Sequence, residues 1–295
     1  MPKNKYKKII IFFLTISIVI FYFTKQLLII KTDSLKIYFL NSSQADSILI
    51  KTPEKQNIII DLGSQKGLKE LDKKIPWWDK KIGLLIITHP HDDHIAGILK
   101  LLNKYKVEKI IFTGIKYESP IYEEIIKMAK IKKIELLIPQ KKQKIILGKD
   151  CELNFIYPLE NLNKQIIENI NNSSIVNRLS CNKSNFLFMG DAEELVEKEI
   201  LEEGYDLQSD VLKVGHHGSI SSSHQKFLDN ISPKISIIMS GERNKFAHPH
   251  LKTLKKLQKI GSLILRTDLN GTITLEIKNG QIKYKTEKSI QQKAY

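Results

Sequence analysis

Cysteine is almost missing from this chain: Cys151 and Cys181 are the two among 295 residues. Two thiols supply neither a disulfide framework nor a zinc knuckle. Two buried thiols are the expectation, and one bond between them is the alternative if they are oxidised. Long hydrophobic runs are equally scarce. There is one, at 9–23, so the chain does not build a many-helix channel by itself. Aromatics are not interleaved with basic residues, which removes the stacking platform of a single-strand binder. No carbohydrate- or choline-binding repeat occurs. Acids are absent before Asp33, while Lys3, Lys5, Lys7, Lys8, Lys25 and Lys31 precede it.

A basic start followed by a short apolar run also describes a secretory signal. No small-x-small site follows, however; the chain continues Phe23-Thr-Lys-Gln-Leu27. The expectation is an uncleaved signal-anchor over 1–31, spanning if counted through Ile30, with Lys25 snorkelling. The lysines ahead of it stay inside. The predicted place is therefore the cell membrane, single-pass and N-in, with the remainder outside the cytoplasm; cleavage would make it secreted. Net charge is +15, and +9 remains once the six leading lysines are set aside. That favours polyanions: nucleic acid, teichoic acid or anionic headgroups. Apolar content of 42% suffices for a core.

The centre of the chain is residues 84–99, LLIITHPHDDHIAGIL. Residues 84–88 read as a buried strand and 95–99 as the start of a helix. Between them stand His89, His91, Asp93 and His94. Imidazole with carboxylate suits zinc and its neighbours. His89 and His91 are spaced to face one ion, Asp93 and His94 a second. Two metals about 3.5–4 Å apart hold a hydroxide and clamp an ester or phosphate oxygen. A solvated turn with chance histidines is the bland alternative. A chain with eight histidines argues against three falling within six residues by accident.

Around this loop the patterns predict strands at 35–40, 47–50 and 57–61, a helix at 95–103, a strand at 109–112, a helix at 120–130 and a strand at 134–138. Residues 141–149 read as a basic loop, 153–157 as a strand, 161–172 as an asparagine-rich loop. Strands at 185–189, 210–214 and 235–239 follow, with a helix at 193–203. Leu251, Leu254 and Leu257 mark a helix core. Strands at 262–267 and 272–277 flank Asp268-Leu-Asn-Gly271 as a final hairpin. Asp191 ends a strand after Gly190, placed to bridge two cations or to cap the next helix. His248 and His250 precede a lysine-rich helix. His248 is a candidate general acid or phosphate contact, with a capping histidine as the alternative.

His-x-His-x-Asp-His after an apolar strand resembles the signature of metallo-β-lactamase-fold hydrolases. Later motifs resemble the ComEC-like (competence protein) branch: the His-His-Gly-Ser run at 216–219, the Asn-Asn-Ser-Ser element at 171–174 and Arg266-Thr-Asp268. Gln44 and Asp46 stand where that branch has Gly-Gln-Gly-Asp, with Ser43 and Ala45 replacing both glycines. The resemblance covers 35–287 and implies a four-layered αβ/βα sandwich as a catalytic domain over 32–287, with a flexible tail at 288–295. It implies two divalent metals, zinc or manganese, on His89, His91, Asp93, His94 and Asp191. One of His216 and His217 ligates the second metal. Strand alternation puts them on opposite faces, and His216 is taken as the ligand with His217 and Ser219 on substrate. Asp61 and Asp46 support the metal loop. No histidine lies between His94 and His216 to complete the first metal, so Ser174 or Asn172 is the expected aid.

The implied reaction is hydrolysis by a metal-held hydroxide, with Asp93, Asp191 and His248 as catalytic residues. Phosphodiesters are the favoured substrates and DNA, handled outside the cytoplasmic membrane, the favoured partner. Rivals are a surface phosphodiesterase on teichoic-acid phosphorylcholine, a lactonase-type hydrolase, and a non-catalytic DNA-binding accessory.

Overall fold

Strand alternation sorts the apolar residues into layers. The computed structural model describes residues 3–28 and 34–289. The chain divides into two units, Met1–Asp33 and Ser34–Tyr295. The first holds one helix, α1 (Lys3–Leu28), whose large apolar side chains from Ile9 to Tyr22 are exposed. Among the described residues no helix is long and apolar enough to cross a membrane, so the expected spanning anchor is not found. The physical reason is length. The fifteen-residue run at 9–23, at 1.5 Å per residue, reaches about 22 Å, short of a hydrocarbon core of roughly 30 Å. The extension through Ile30 runs outside the described residues.

The second unit is built on two mixed sheets. The first contains β1 (Leu35–Phe39), β2 (Ser47–Lys51), β3 (Asn57–Leu62), β4 (Lys81–Ile86), β5 (Lys106–Ile111) and β6 (Glu135–Leu137) in spatial order. The second contains β7 (Lys144–Gly148), β8 (Cys151–Tyr157), β9 (Val176–Cys181), β10 (Ser184–Phe188), β11 (Val211–Lys213), β12 (Ile235–Ile238) and β13 (Leu263–Arg266). The chain then returns to the first sheet as β14 (Ile273–Lys278), beside β1, and β15 (Gln281–Thr286) at its edge. Ile37, Phe39, Ile58 and Ile60 face Phe186, Phe188, Val211 and Ile237 in one core between the sheets. Phe39 and Phe188 stack across it, ring centres 6.3 Å apart.

The opposite faces carry helices. Leu49, Ile59 and Leu85 pack under α2 (Gln65–Lys74), α4 (Ile98–Lys104) and α5 (Pro120–Ile131). Leu187, Leu212 and Ile238 pack under α6 (Glu194–Glu202), α7 (Gln225–Ile231) and α8 (Leu251–Lys259). Ser64 and Ser119 cap α2 and α5 by accepting the Gly67 and Tyr122 N–H groups. Helix, sheet, sheet and helix are thus stacked about three apolar cores.

Several expectations change. The predicted final hairpin is absent: β13 and β14 belong to different sheets, and the Asp-Leu-Asn-Gly stretch forms α9 (Thr267–Asn270) with Gly271 at its end. The basic loop at 141–149 is partly β7, paired with β8. Cys151 and Cys181 are not free thiols. They are register partners on β8 and β9 and are joined by a disulfide. Helices α2 and α7 and strand β15 had no counterpart in the sequence reading. Helix begins at Asp92 in α3 (Asp92–Ile95), ahead of the expected start. Of the expected tail, residues 290–295 lie outside the described residues.

Candidate metal centre

The two halves bring their loops together where parallel strands end. β3 and β4 run parallel and end at Asp61 and the His89–His94 loop. β10 and β11 run parallel and end at Asp191 and the 215–218 turn. The loop geometry depends on close backbone approach. A Cβ on Gly63 would lie 1.6 Å from the Asp93 carbonyl oxygen, which accepts the Asp46 N–H at 3.0 Å. Ser43, in place of the glycine of the resembled turn, has φ 66°, so that turn keeps a left-handed conformation without glycine.

Asp93, His94, Asp191 and His217 each offer a ligand atom, all within 4.8 Å of one another. His94 Nδ1–H donates to Asp61 Oδ2 at 2.8 Å, and its Nε2 faces Asp191 Oδ2 at 3.3 Å. His217 Nδ1–H donates to the Met239 carbonyl at 2.8 Å; its Nε2 lies 3.3 Å from both Asp93 Oδ2 and Asp191 Oδ2. In each ring one nitrogen is tied to an oxygen acceptor and the other faces carboxylates, the arrangement that orients an imidazole toward a cation. His94 Nε2 and Asp191 Oδ1 are buried without a hydrogen-bond partner. This donor set, of two imidazoles and two carboxylates with orphaned atoms, fits a divalent ion. Asp46, Asp61 and His94 make a second group of this kind, in which Lys213 pairs with Asp46 and His94 with Asp61; Lys213 Nζ also lies 3.6 Å from Asp191 Oδ1.

His89 and His91 lie beside the four, His89 Nε2 and His91 Nδ1 being 3.1 Å apart. Ser174 Oγ reaches His89 Nδ1 at 3.3 Å and accepts the Asp191 N–H at 3.0 Å. No third imidazole or carboxylate completes a group around this pair among the described residues.

Burial alone would push the carboxylates up and the imidazoles down. Their mutual attraction overrides it. Burial raises Asp191, yet His217 and His94 hold it well below the carboxylate range. Burial lowers His94 and His217, yet Asp191 first holds both well above the histidine range, with Asp61 acting on His94. Asp93 is likewise lowered, against burial, by the His217 hydrogen bond and the His94 charge. His89 and His91 go down with burial, aided by His94. Asp61 is raised by burial in spite of its bonds to His94 and Thr88.

Two predicted positions differ in place. The expectation set His216 on metal and His217 on substrate. The structure brings His217 into the carboxylate group, while His216 Nδ1 lies 3.0 Å from Glu193 Oε1. Strand alternation does not apply there. Both residues lie in a turn with left-handed backbone, φ 46° and 53°, which sends the rings to other quarters. His248 lies in the cleft, but burial first, then His216, His217 and His250, push it down to about 4. At neutral pH it carries no extra proton to give away. Gln44 Oε1 accepts the Gly241 N–H at 2.8 Å, which turns the Gln44 amide nitrogen toward His248 Nδ1 at 3.5 Å. That places the ring proton on Nε2.

Ser219 Oγ sits 3.0 Å from Ser221 Oγ, which reaches His216 Nδ1 at 3.3 Å. A cleft of about 360 Å³ opens over the centre, lined by His91, Asp93, Tyr117, Asn171, His217 and Phe246 among others. Sequence reasoning missed Lys213. Its ammonium is buried, pairs with Asp46 and donates to the Gly190 carbonyl at 2.7 Å. Burial lowers it, yet Asp46 and Asp191 hold it above the usual lysine value. One charge in an otherwise apolar strand was the available signal. Glu193, against His216, carried no such mark, while Asn171, which also faces that ring, stood in the Asn-Asn-Ser-Ser element.

Residues 41–242 match the model of the metallo-beta-lactamase superfamily. ComE operon protein 3 of Bacillus subtilis is 31% identical over 76% of this chain and 27% of its own length. Competence protein ComA of Neisseria gonorrhoeae is 25% identical over 82% of this chain and 32% of its own length. The chain therefore spans about a third or less of these relatives. Among solved structures, Igni18, a metallo hydrolase from the archaeon Ignicoccus hospitalis, shares the fold at TM-score 0.53 and 14% identity, over 83% of this chain and 100% of that one. The chain belongs to the metallo-beta-lactamase superfamily, and its relatives place it on the ComEC-like competence branch.

Proposed function

We propose that the protein is a metal-dependent phosphodiesterase that cuts DNA outside the cytoplasmic membrane. The observation that carries the reading is the Asp93–His94–Asp191–His217 group at the foot of an open cleft, in a chain whose relatives are competence proteins. These four residues would hold one zinc or manganese ion. His89 and His91, with Ser174 nearby, would hold a second more loosely, because their third ligand is missing. When bound, a divalent cation lowers the pKa of water and neutralises charge on a phosphoryl oxygen. The chain's own residues do the rest. Asp61 and the Met239 carbonyl fix the imidazole tautomers. Lys213 balances Asp46 beneath the site. His248 Nε2–H and the Ser219 hydroxyl donate to substrate oxygens as neutral groups.

Two features support a place outside the cytoplasm. A disulfide between Cys151 and Cys181 suits an oxidising compartment. The basic, apolar α1 suits peripheral attachment to a membrane surface. The net charge of +15 favours a polyanionic substrate.

The test offers the full-length protein, with manganese or zinc, DNA, bis-p-nitrophenyl phosphate and p-nitrophenyl phosphorylcholine. Turnover of DNA that is lost in Asp191→Ala and His91→Ala is expected. Hydrolysis of phosphorylcholine ester alone would move the substrate to small headgroups, and DNA cleavage surviving both substitutions would remove the site from the reaction.

A further inference from the structure

The protein's two tryptophans, Trp77 and Trp78, stand side by side in the loop between α2 and β4. They are 78% and 62% exposed, with ring centres 5.6 Å apart at 86°. Each is too large and apolar to sit in water without a partner, and indole prefers boundaries where one end is apolar and the other wet. The loop is basic. Residues 65–81 carry six lysines against Glu70, Asp72 and Asp79. Those acids are engaged: Glu70 with Lys73, Asp72 with Lys104 and Tyr105, Asp79 with Asn57. Lys80, Lys81 and Lys106 are exposed around the pair; Lys81 meets Glu108 at 3.0 Å.

Position adds to chemistry. The tryptophans precede β4, and the metal loop follows it. Six residues at about 3.3 Å each put roughly 20 Å between them along the sheet. β1 is antiparallel to β2, β2 to β3, and β3 is parallel to β4. β1 therefore starts at the tryptophan end, and the second unit begins there at Ser34. The sequence ahead of Ser34 carries the basic, apolar α1.

We propose that Trp77 and Trp78 form an interfacial membrane contact, with Lys80, Lys81 and Lys106 on anionic headgroups and the metal cleft turned away from the bilayer. The indoles enter the headgroup boundary and no segment needs to cross. The inference is independent of the hydrolytic reading: the contact holds whatever the cleft cleaves.

Because no other tryptophan exists, intrinsic fluorescence of the full-length protein reports on this loop alone. Vesicles of phosphatidylglycerol with phosphatidylcholine should shift the emission to the blue, and brominated acyl chains should quench it. Pure phosphatidylcholine vesicles should do less, and Lys80→Glu with Lys81→Glu should diminish the anionic response. Trp77→Ser with Trp78→Ser should leave turnover of a soluble substrate unchanged and weaken vesicle binding. Two results would overturn the proposal. One is unshifted emission while the protein cosediments with vesicles through the rest of the chain. The other is a blue shift that rises with protein concentration without lipid, which would make the occupant a second copy.

Discussion

Ser43 holds a left-handed backbone, φ 66°, at the turn that sets Gln44 and Asp46 beside the metal centre. An L-residue there costs roughly 1–2 kcal/mol that glycine does not. Ser43→Gly is therefore expected to stabilise the fold by about 1 kcal/mol in chemical denaturation, less any loss to unfolded-chain entropy; a destabilised variant would contradict the strain. The same backbone region decides the pair at 216 and 217. Sequence spacing located both histidines but assumed extended chain. Two consecutive left-handed residues leave no trace in a pattern of polar and apolar letters, so which ring faces the carboxylates was not legible. That His89, His91, Asp93, His94 and Asp191 stand close together was legible, because so many imidazoles and carboxylates at such spacing have no cheaper packing explanation. Lys213 was half legible: its charge was visible, its partner Asp46, from the other half of the chain, was not. His216→Ala is expected to lower hydrolysis by no more than about 10–100-fold, as for a residue outside the ligand set, with metal binding kept.

Helix α6 anchors the 219–224 loop, with the Glu194 N–H donating to the Ser221 carbonyl at 2.9 Å and Glu197 holding its far end. Glu197 is buried and accepts the Ser223 and His224 N–H groups at 2.7 and 2.6 Å, tying down the loop that carries Ser219 and Ser221. Burial raises it to about 7, although both N–H bonds favour the charged form. A carboxyl raised on folding stabilises most below its ordinary value of about 4.5, and that contribution is lost as pH rises through about 7. At 1.36 kcal/mol per unit the change is about 3 kcal/mol. Wild type should lose on the order of 3 kcal/mol relative to Glu197→Gln between pH 4.5 and 7.5 in denaturant titrations; parallel pH profiles would contradict this. Gly63 belongs to the same scale. Any side chain there meets the Asp93 carbonyl, so Gly63→Ala should cost at least about 1–3 kcal/mol and displace the metal loop. An unchanged melting temperature would contradict the contact. Elements with strong apolar runs were readable in advance. The final hairpin was not, because a turn signal says that the chain reverses, not that it returns to the same sheet. β7, at a sheet edge, was hidden by the lysines at and around its ends.

The whole molecule joins two half-sites that neither half can complete. Asp61, Asp93 and His94 come from the first sheet, Asp191 and His217 from the second, and the shared core of Phe39 and Phe188 fixes their separation. Three buried groups and the half-buried Asp93 meet where orphaned atoms remain, so a divalent cation should stabilise the native state by mass action. Chelator-treated protein should melt lower than protein with manganese or zinc. Equal melting temperatures would show that no cation links the halves. The most direct measurement is calorimetric titration of chelator-stripped protein with zinc or manganese, on wild type, His216→Ala and His217→Ala. The account predicts one tight equivalent in wild type and in His216→Ala, and none in His217→Ala. Tight binding that survives in His217→Ala and disappears in His216→Ala would contradict it.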